Sequence, residues 1–148
     1  MKNFLSIKEK ILHLRDSGKV YCDIIARNNQ DIKKSLIEFC EKIGFSTNEN
    51  LREIDKVIAI KIMRLILMKN LVYDSQIMTN EQANNLANDF CFLFEDNTKF
   101  FTNGNFEEKI SGEFFLKSWK PMTKYMCDTG VFSINKKLVG CLWVEDED

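Results

Sequence analysis

The sequence predicts an α+β fold in which an N-terminal helical layer of about four helices packs on a small C-terminal antiparallel β-sheet. Three observations predict it. Up to Glu95, apolar residues recur at helical spacing of three and four. Beyond it, apolar runs are short and separated by turn chemistry such as Asp96-Asn97 and Asn103-Gly104-Asn105. Thirteen of the 17 aromatic residues lie at or after Tyr73, as suits half-buried strands.

Taken in order, Ser6-Ile7-Lys8-Glu9 reads as a capping box opening a first helix, whose stripe is Ile7, Ile11, Leu12 and Leu14 and whose stop is Gly18. Val20 to Ala26 is apolar and fits either a short strand or another helical turn. A second helix is expected from Gln30 to Ile43, with Ile32, Leu36, Phe39, Cys40 and Ile43 on one face and Gly44 closing it. The third is capped by Thr47 or Asn48, and Leu51, Ile54, Val57, Ile58, Ile62, Leu65 and Ile66 keep its period to Met68. Ala59, Ile60, Met63, Leu67 and Met68 widen its apolar surface, so it belongs at the centre of the helical layer. A second capping box, Thr79-Asn80-Glu81-Gln82, opens a fourth helix reaching Phe94. Val131–Asn135 and Leu138–Val144 then read as a hairpin turning at Lys136-Lys137, with Asn135 in an unusual backbone angle, and Tyr125 to Cys127 as a further strand.

With 148 residues, 45% hydrophobic and 29% charged, the chain has the size and composition of one globular domain, 1–148, helical over 1–95 and β-rich over 96–148. The most apolar segment, Val57 to Met68, is interrupted by Lys61 and Arg64 and is too short for a membrane span. Met1-Lys2-Asn3-Phe4-Leu5-Ser6 carries no apolar stretch leading to a small-residue cleavage site. Five cysteines, Cys22, Cys40, Cys91, Cys127 and Cys141, are odd in number, scattered and unpaired in spacing, which points to buried free thiols in a reducing compartment. A cytoplasmic protein is expected.

Net charge is −1, but residues 1–70 carry 14 basic against 9 acidic side chains, and residues 71–148 carry 7 against 13. The chain ends Glu145-Asp146-Glu147-Asp148. Such a C-terminal half is unsuited to phosphate contacts and suits a basic protein partner or a solvated acidic tail. Lys33-Lys34, Lys56, Lys61 and Arg64 fall on different helix faces, so direct nucleic-acid binding is not expected.

Catalytic signals are sparse. His13, the sole histidine, sits between Leu12 and Leu14 inside the first helix, where a surface or packing role is expected; two-histidine metal motifs are excluded. No nucleophile elbow or phosphate loop is present. Asp128-Thr129-Gly130 matches the aspartic-protease triplet, but a single copy would need a homodimer, and Val131 replaces the small residue that usually follows. A turn, with Gly130 in the left-handed region, is the expected role. No catalytic residue, metal or cofactor is expected. Trp119 and Trp143 stand out as anchors for a partner. Alternation puts Trp143 with Cys141 on one face of the last strand and Leu142 with Val144 on the other, so whichever face the helices leave uncovered would be a partner site, which leaves a homodimer open.

The strings Ser118-Trp119-Lys120-Pro121, Cys127-Asp128-Thr129-Gly130-Val131-Phe132-Ser133-Ile134 and Gly140-Cys141-Leu142-Trp143-Val144-Glu145-Asp146-Glu147-Asp148 resemble the end of small immunity proteins from bacterial polymorphic-toxin and contact-dependent growth inhibition systems. The resemblance covers the chain from Ser118 onward. It implies a non-catalytic cytosolic protein that neutralises the C-terminal domain of a cognate toxin, often a basic nuclease. Acidic groups facing such a partner would mimic its phosphate substrate and speed capture. The candidates are Glu95, Asp96, Glu107, Glu108, Glu113, Glu145, Asp146, Glu147 and Asp148, with Trp119 and Trp143 as anchors. Two other classes fit the sequence: a regulatory or phage-type interaction module, and a small enzyme using acidic loops.

Overall fold

A computed structural model describes residues 3–46, 51–95, 97–123 and 127–147. The elements run α1 (Phe4–Leu14), β1 (Lys19–Ala26), α2 (Ile32–Ile43), β2 (Arg52–Ile54), α3 (Lys56–Met68), α4 (Asn80–Cys91), β3 (Lys99–Thr102), β4 (Gly104–Glu108), β5 (Phe114–Trp119), β6 (Cys127–Ile134) and β7 (Leu138–Asp146). This is the expected α+β mixture, with the helices in the first two thirds of the chain.

The sheet is larger than the 96–148 segment. Its order is β1-β7-β6-β3-β2, all neighbours antiparallel, and β4-β5 form a separate two-stranded sheet. Two strands therefore come from the part expected to be helical. The ambiguous Val20–Ala26 segment is strand, paired with β7 from Lys19↔Glu145 to Ala26↔Leu138; its β-branched Val20, Ile24 and Ile25 favour that state. Residues 52–54, expected in the first turn of the third helix, instead pair as Arg52↔Thr102 and Ile54↔Phe100. Leu51 and Ile54 fit a helical stripe equally well, and the cross-strand partner decides. The helix starts one residue after Asp55, whose carboxylate accepts from the Ile58 amide. The expected caps Thr47 and Asn48 lie outside the described residues.

Other boundaries shift for similar reasons. Asn3, rather than Ser6, caps α1 by accepting from the Ser6 amide, because Phe4 packs on the core and draws the helix back a turn. Asp31 caps α2, and Gly44 closes it at φ 82°, a left-handed angle suited to glycine. The Thr79–Gln82 capping box is present with both bonds at 3.0 Å. The α4 helix ends at Cys91, and 92–94 continue as turn.

Both faces of the central sheet are covered. Leu142 and Val144 of β7 join Ile7, Ile11, Ile62, Ile66 and Phe90 in a core formed with α1, α3 and α4. Cys141 and Trp143 join Leu36, Phe39, Phe45 and Phe132 in a second core under α2. The alternation read from the sequence is correct, but no uncovered face follows from it: β6 is buried at every residue and β7 at all but Leu138. Trp143 is a core residue, its ring 5.0 Å from Phe132 and 5.5 Å from Phe45. The β6–β7 hairpin is as expected, except that Asn135 keeps a negative φ. Its side-chain oxygen instead accepts from the Lys137 and Leu138 amides, each at 2.9 Å. Asp128-Thr129-Gly130 is not a turn; it lies inside β6, and a Cβ on Gly130 would stand 2.2 Å from the Leu142 carbonyl oxygen. Tyr125 and Met126 lie outside the described residues.

The C-terminal acids are pulled inside as well. Asp146 is buried on the α1/α3 face of β7 and receives both guanidinium nitrogens of Arg15 at 2.7 Å, plus the Leu71 amide at 2.8 Å. Arg15 Nε and Nη2 also donate to the carbonyls of Ile66 and Lys69. Glu145 is buried on the opposite face beneath the Tyr21 hydroxyl, at 2.8 Å. All five cysteines are buried free thiols. Burial pushes Cys22, Cys40 and Cys127 up to about 12, so none forms a thiolate near neutral pH. No described helix is long and apolar enough to cross a membrane.

Removing one member of the Arg15–Asp146 pair strands a buried charge. Urea unfolding of Asp146→Asn should show a loss of ~3–5 kcal/mol, while an Arg15→Met/Asp146→Leu double variant should lose clearly less. Additive losses in the two replacements would contradict this assignment.

Candidate functional site

The β4–β5 hairpin brings together four of the residues singled out in the sequence. Glu107 and Glu108 lie on β4, Glu113 immediately precedes β5, and Trp119 ends it. Pairing Glu107↔Phe115 and Glu108↔Phe114 fixes which side chains share a face. Phe106 and Phe114 stack 5.3 Å apart on the inner face, where Phe114 belongs to the core beside α3. Glu107, Phe115 and Lys117 share the outer face.

Each acid on the hairpin has a lysine. Glu107 pairs with Lys117 at 2.9 Å, Glu108 with Lys61 of α3, and Glu113 with Lys109 at 3.2 Å and Lys69 at 3.3 Å. These are half-exposed, solvent-screened pairs, so they constrain the hairpin weakly. Lys109 first, then Lys69, holds the Glu113 carboxyl below the usual carboxylate range.

The remaining sequence candidates are dispersed. Glu95 is exposed after α4, and Glu147 is exposed beyond β7. Asp96 and Asp148 lie outside the described residues. Trp143, Glu145 and Asp146 are buried in the fold, so the first half of the expected solvated acidic tail is instead the end of a central strand, and Trp143 presents no surface to a partner. Their burial is set by long-range partners: Arg15 for Asp146, Tyr21 for Glu145, Phe45 and Phe132 for Trp143.

Trp119 does face an opening. At the base of the hairpin it borders an open groove of about 470 Å³, lined also by Leu51, Arg52, Asn105, Ser118 and Lys120. Three chain segments meet there. The Arg52 Nε and Nη2 atoms both donate to the Gly104 carbonyl, at 3.0 and 2.7 Å, tying β2 to the start of β4. Asn105 donates to Ser118 Oγ at 3.1 Å beside a bulge between Asn105 and Phe106. Asn103, which also lines the groove, donates to the carbonyls of Lys120 and Asp128. Nothing local marks Arg52, Asn105 or Lys120 as site residues, because their proximity is made by the β2–β3 pairing and the β4–β5 register.

Asp128 anchors this base and is fully buried. Its carboxylate accepts from Trp143 Nε1 at 3.0 Å, the Met122 amide at 3.0 Å, and the Thr123 amide and hydroxyl at 3.2 and 3.1 Å. With neutral donors occupying both oxygens, Asp128 is placed to organise the chain after Trp119, not to meet an external substrate. Among the described residues, no cluster of three histidine, cysteine or carboxylate side chains could hold a metal ion.

A lowered Glu113 pKa contributes stability that is complete above the unfolded carboxylate's pKa and is lost as pH falls through the folded value. In a carboxyl-carbon NMR titration Glu113 should titrate below the usual carboxylate range, and Lys109→Ala should move it up. An unmoved midpoint would remove Lys109 as the main cause.

No family model, curated protein or solved structure matches the chain.

Proposed function

We propose that this chain is a non-catalytic, cytoplasmic immunity-type protein that neutralises a cognate toxin domain by binding it, and that the β4–β5 hairpin is the binding element. One observation carries the reading: Glu107, Glu108, Glu113 and Trp119, picked from the sequence as partner-binding residues, belong to this one two-stranded element, the acids toward its turn and Trp119 at its base. The C-terminal strings that resemble immunity proteins begin on the same hairpin, at Ser118.

The chemistry suits a basic partner, such as a nuclease domain. The three hairpin carboxylates are matched by four lysines, Lys109 and Lys117 on the hairpin and Lys61 and Lys69 beside it, so a partner's cations would exchange with resident ones. Because its ion pairs are weak and solvent-screened, lysines or arginines of a partner can replace the resident lysines at little cost. Interface charges of this kind act chiefly on association rate. Glu145 and Asp146, engaged inside the fold, take no part.

The test is toxin neutralisation. A toxin domain recovered at near-equal stoichiometry from the source cells should lose activity when the purified chain is added. A Glu107→Gln/Glu108→Gln/Glu113→Gln variant should keep its melting temperature within a few degrees but associate on the order of tenfold more slowly at low salt, the difference shrinking as salt rises. A salt-independent association rate, equal in both proteins, would remove the hairpin acids from the interface; failure to protect against any co-purifying toxin would remove the immunity reading.

A further inference from the structure

We propose that the groove beside Trp119 is a binding site for a small anion carrying a planar ring, of which a nucleoside monophosphate is the simplest member. This inference shares Trp119 with the immunity reading but does not use the hairpin acids, and its ligand test does not depend on any toxin.

The argument begins with charge. The chain as a whole is slightly acidic, yet among the described residues the groove is lined by two cations, Arg52 and Lys120, and by no carboxylate. Arg52 is fixed in place: its Nε and Nη2 are both spent on the Gly104 carbonyl, which orients the plane of the guanidinium at the groove wall and leaves Nη1 without a partner among the described residues. Lys120 follows Trp119 directly, and its backbone is held on both sides, its amide donating to the Asn103 carbonyl at 3.2 Å and its carbonyl accepting from Asn103 Nδ2 at 2.8 Å. Two cations on held backbone, with no anion beside them among the described residues, suit a phosphate or carboxylate group.

The rest of the lining specifies more than an anion. Trp119 lines the groove, and an indole there is a stacking partner for a planar ring such as a nucleobase. Asn105 and Ser118 sit together beside it, 3.1 Å apart, and present amide and hydroxyl groups suited to the polar edge of such a ring. A volume of about 470 Å³ lies within the ~300–1,000 Å³ of ordinary small-ligand sites. The wall is also rigid where it matters, because the Asp128 and Asn103 hydrogen bonds secure the segment behind Trp119.

The two tryptophans make the test direct. Trp143 Nε1 is buried on Asp128, so its indole resonance serves as an internal reference, and Trp119→Phe assigns the other. Adenosine monophosphate should shift the Trp119 indole resonance saturably and leave Trp143 in place. Adenosine and ribose 5-phosphate, which each lack one half of the ligand, should bind at least tenfold more weakly. Lys120→Gln should weaken adenosine monophosphate on the order of tenfold at unchanged melting temperature. Arg52→Gln should do the same, and Lys120→Gln keeps the test valid if loss of the Arg52–Gly104 bonds unfolds the hairpin base. No saturable shift of Trp119 would overturn the proposal, as would equal binding of ribose 5-phosphate and adenosine monophosphate, which would show that the ring contributes nothing.

Discussion

The buried pair between Arg15 and Asp146 is the constraint around which the α1/α3 side of the molecule is arranged. A guanidinium and a carboxylate withdrawn from water are tolerated only when nearly every donor and acceptor is matched. Here the matching recruits the ends of several elements. Arg15 leaves α1 and reaches the last turn of α3 through Ile66 and the following residue Lys69, while Asp146 accepts the amide of Leu71 and terminates β7. Gly18 is shaped by the same pair: a Cβ there would lie 2.1 Å from Asp146 Oδ1, and the residue has φ 64°. The N-terminal helix, the central helix and the last strand are thus located by one ion pair spanning 131 positions of sequence.

Asp128 does the corresponding work on the other face of the sheet, with neutral donors. It binds the indole of Trp143, the amides after Pro121 and the side chain of Asn103, so the core under α2 and the base of the β4–β5 hairpin share one acceptor. Thr129 completes the connection, donating to Asn103 Oδ1 at 2.7 Å. Asp-Thr-Gly, which suggests catalysis when read as a motif, is used here for support: an acceptor, a hydroxyl, and a glycine that lets β7 approach closely.

How much of this was legible in the sequence follows from where the information resides. Helix type, the Thr79 capping box, the β6–β7 hairpin and the two-sided apolar character of β7 depend on local spacing, and local spacing reveals them. The strands β1 and β2 depend on partners about 50 to 120 residues away, and their own sequences fit more than one state. The same holds for the terminal acids. Glu145-Asp146-Glu147-Asp148 has the composition of a solvated tail, and nothing within it distinguishes Asp146, held by Arg15, from exposed Glu147. Glu107, Glu108, Glu113 and Trp119 were found because acids and a tryptophan in a polar stretch are conspicuous. Arg52 and Lys120 were not, since an isolated basic residue is ordinary until pairing brings it beside an indole.

The hairpin that results has two chemically different ends. Near its turn, Glu107, Glu108 and Glu113 are held by exposed lysines through weak, screened pairs, which leaves that end free to adapt to another charged surface. At its base, Gly104 is tied to Arg52 and Trp119 is followed by a segment secured to Asn103 and Asp128, so the backbone and the Arg52 guanidinium there are held in place. Pre-organisation of that kind lowers the ordering cost of binding a small, rigid molecule. Loose surface charge instead favours rapid capture of a large one, because long-range attraction needs no fixed geometry. The fold separates these two properties along one pair of strands by anchoring only one end of it to the buried hydrogen-bond network.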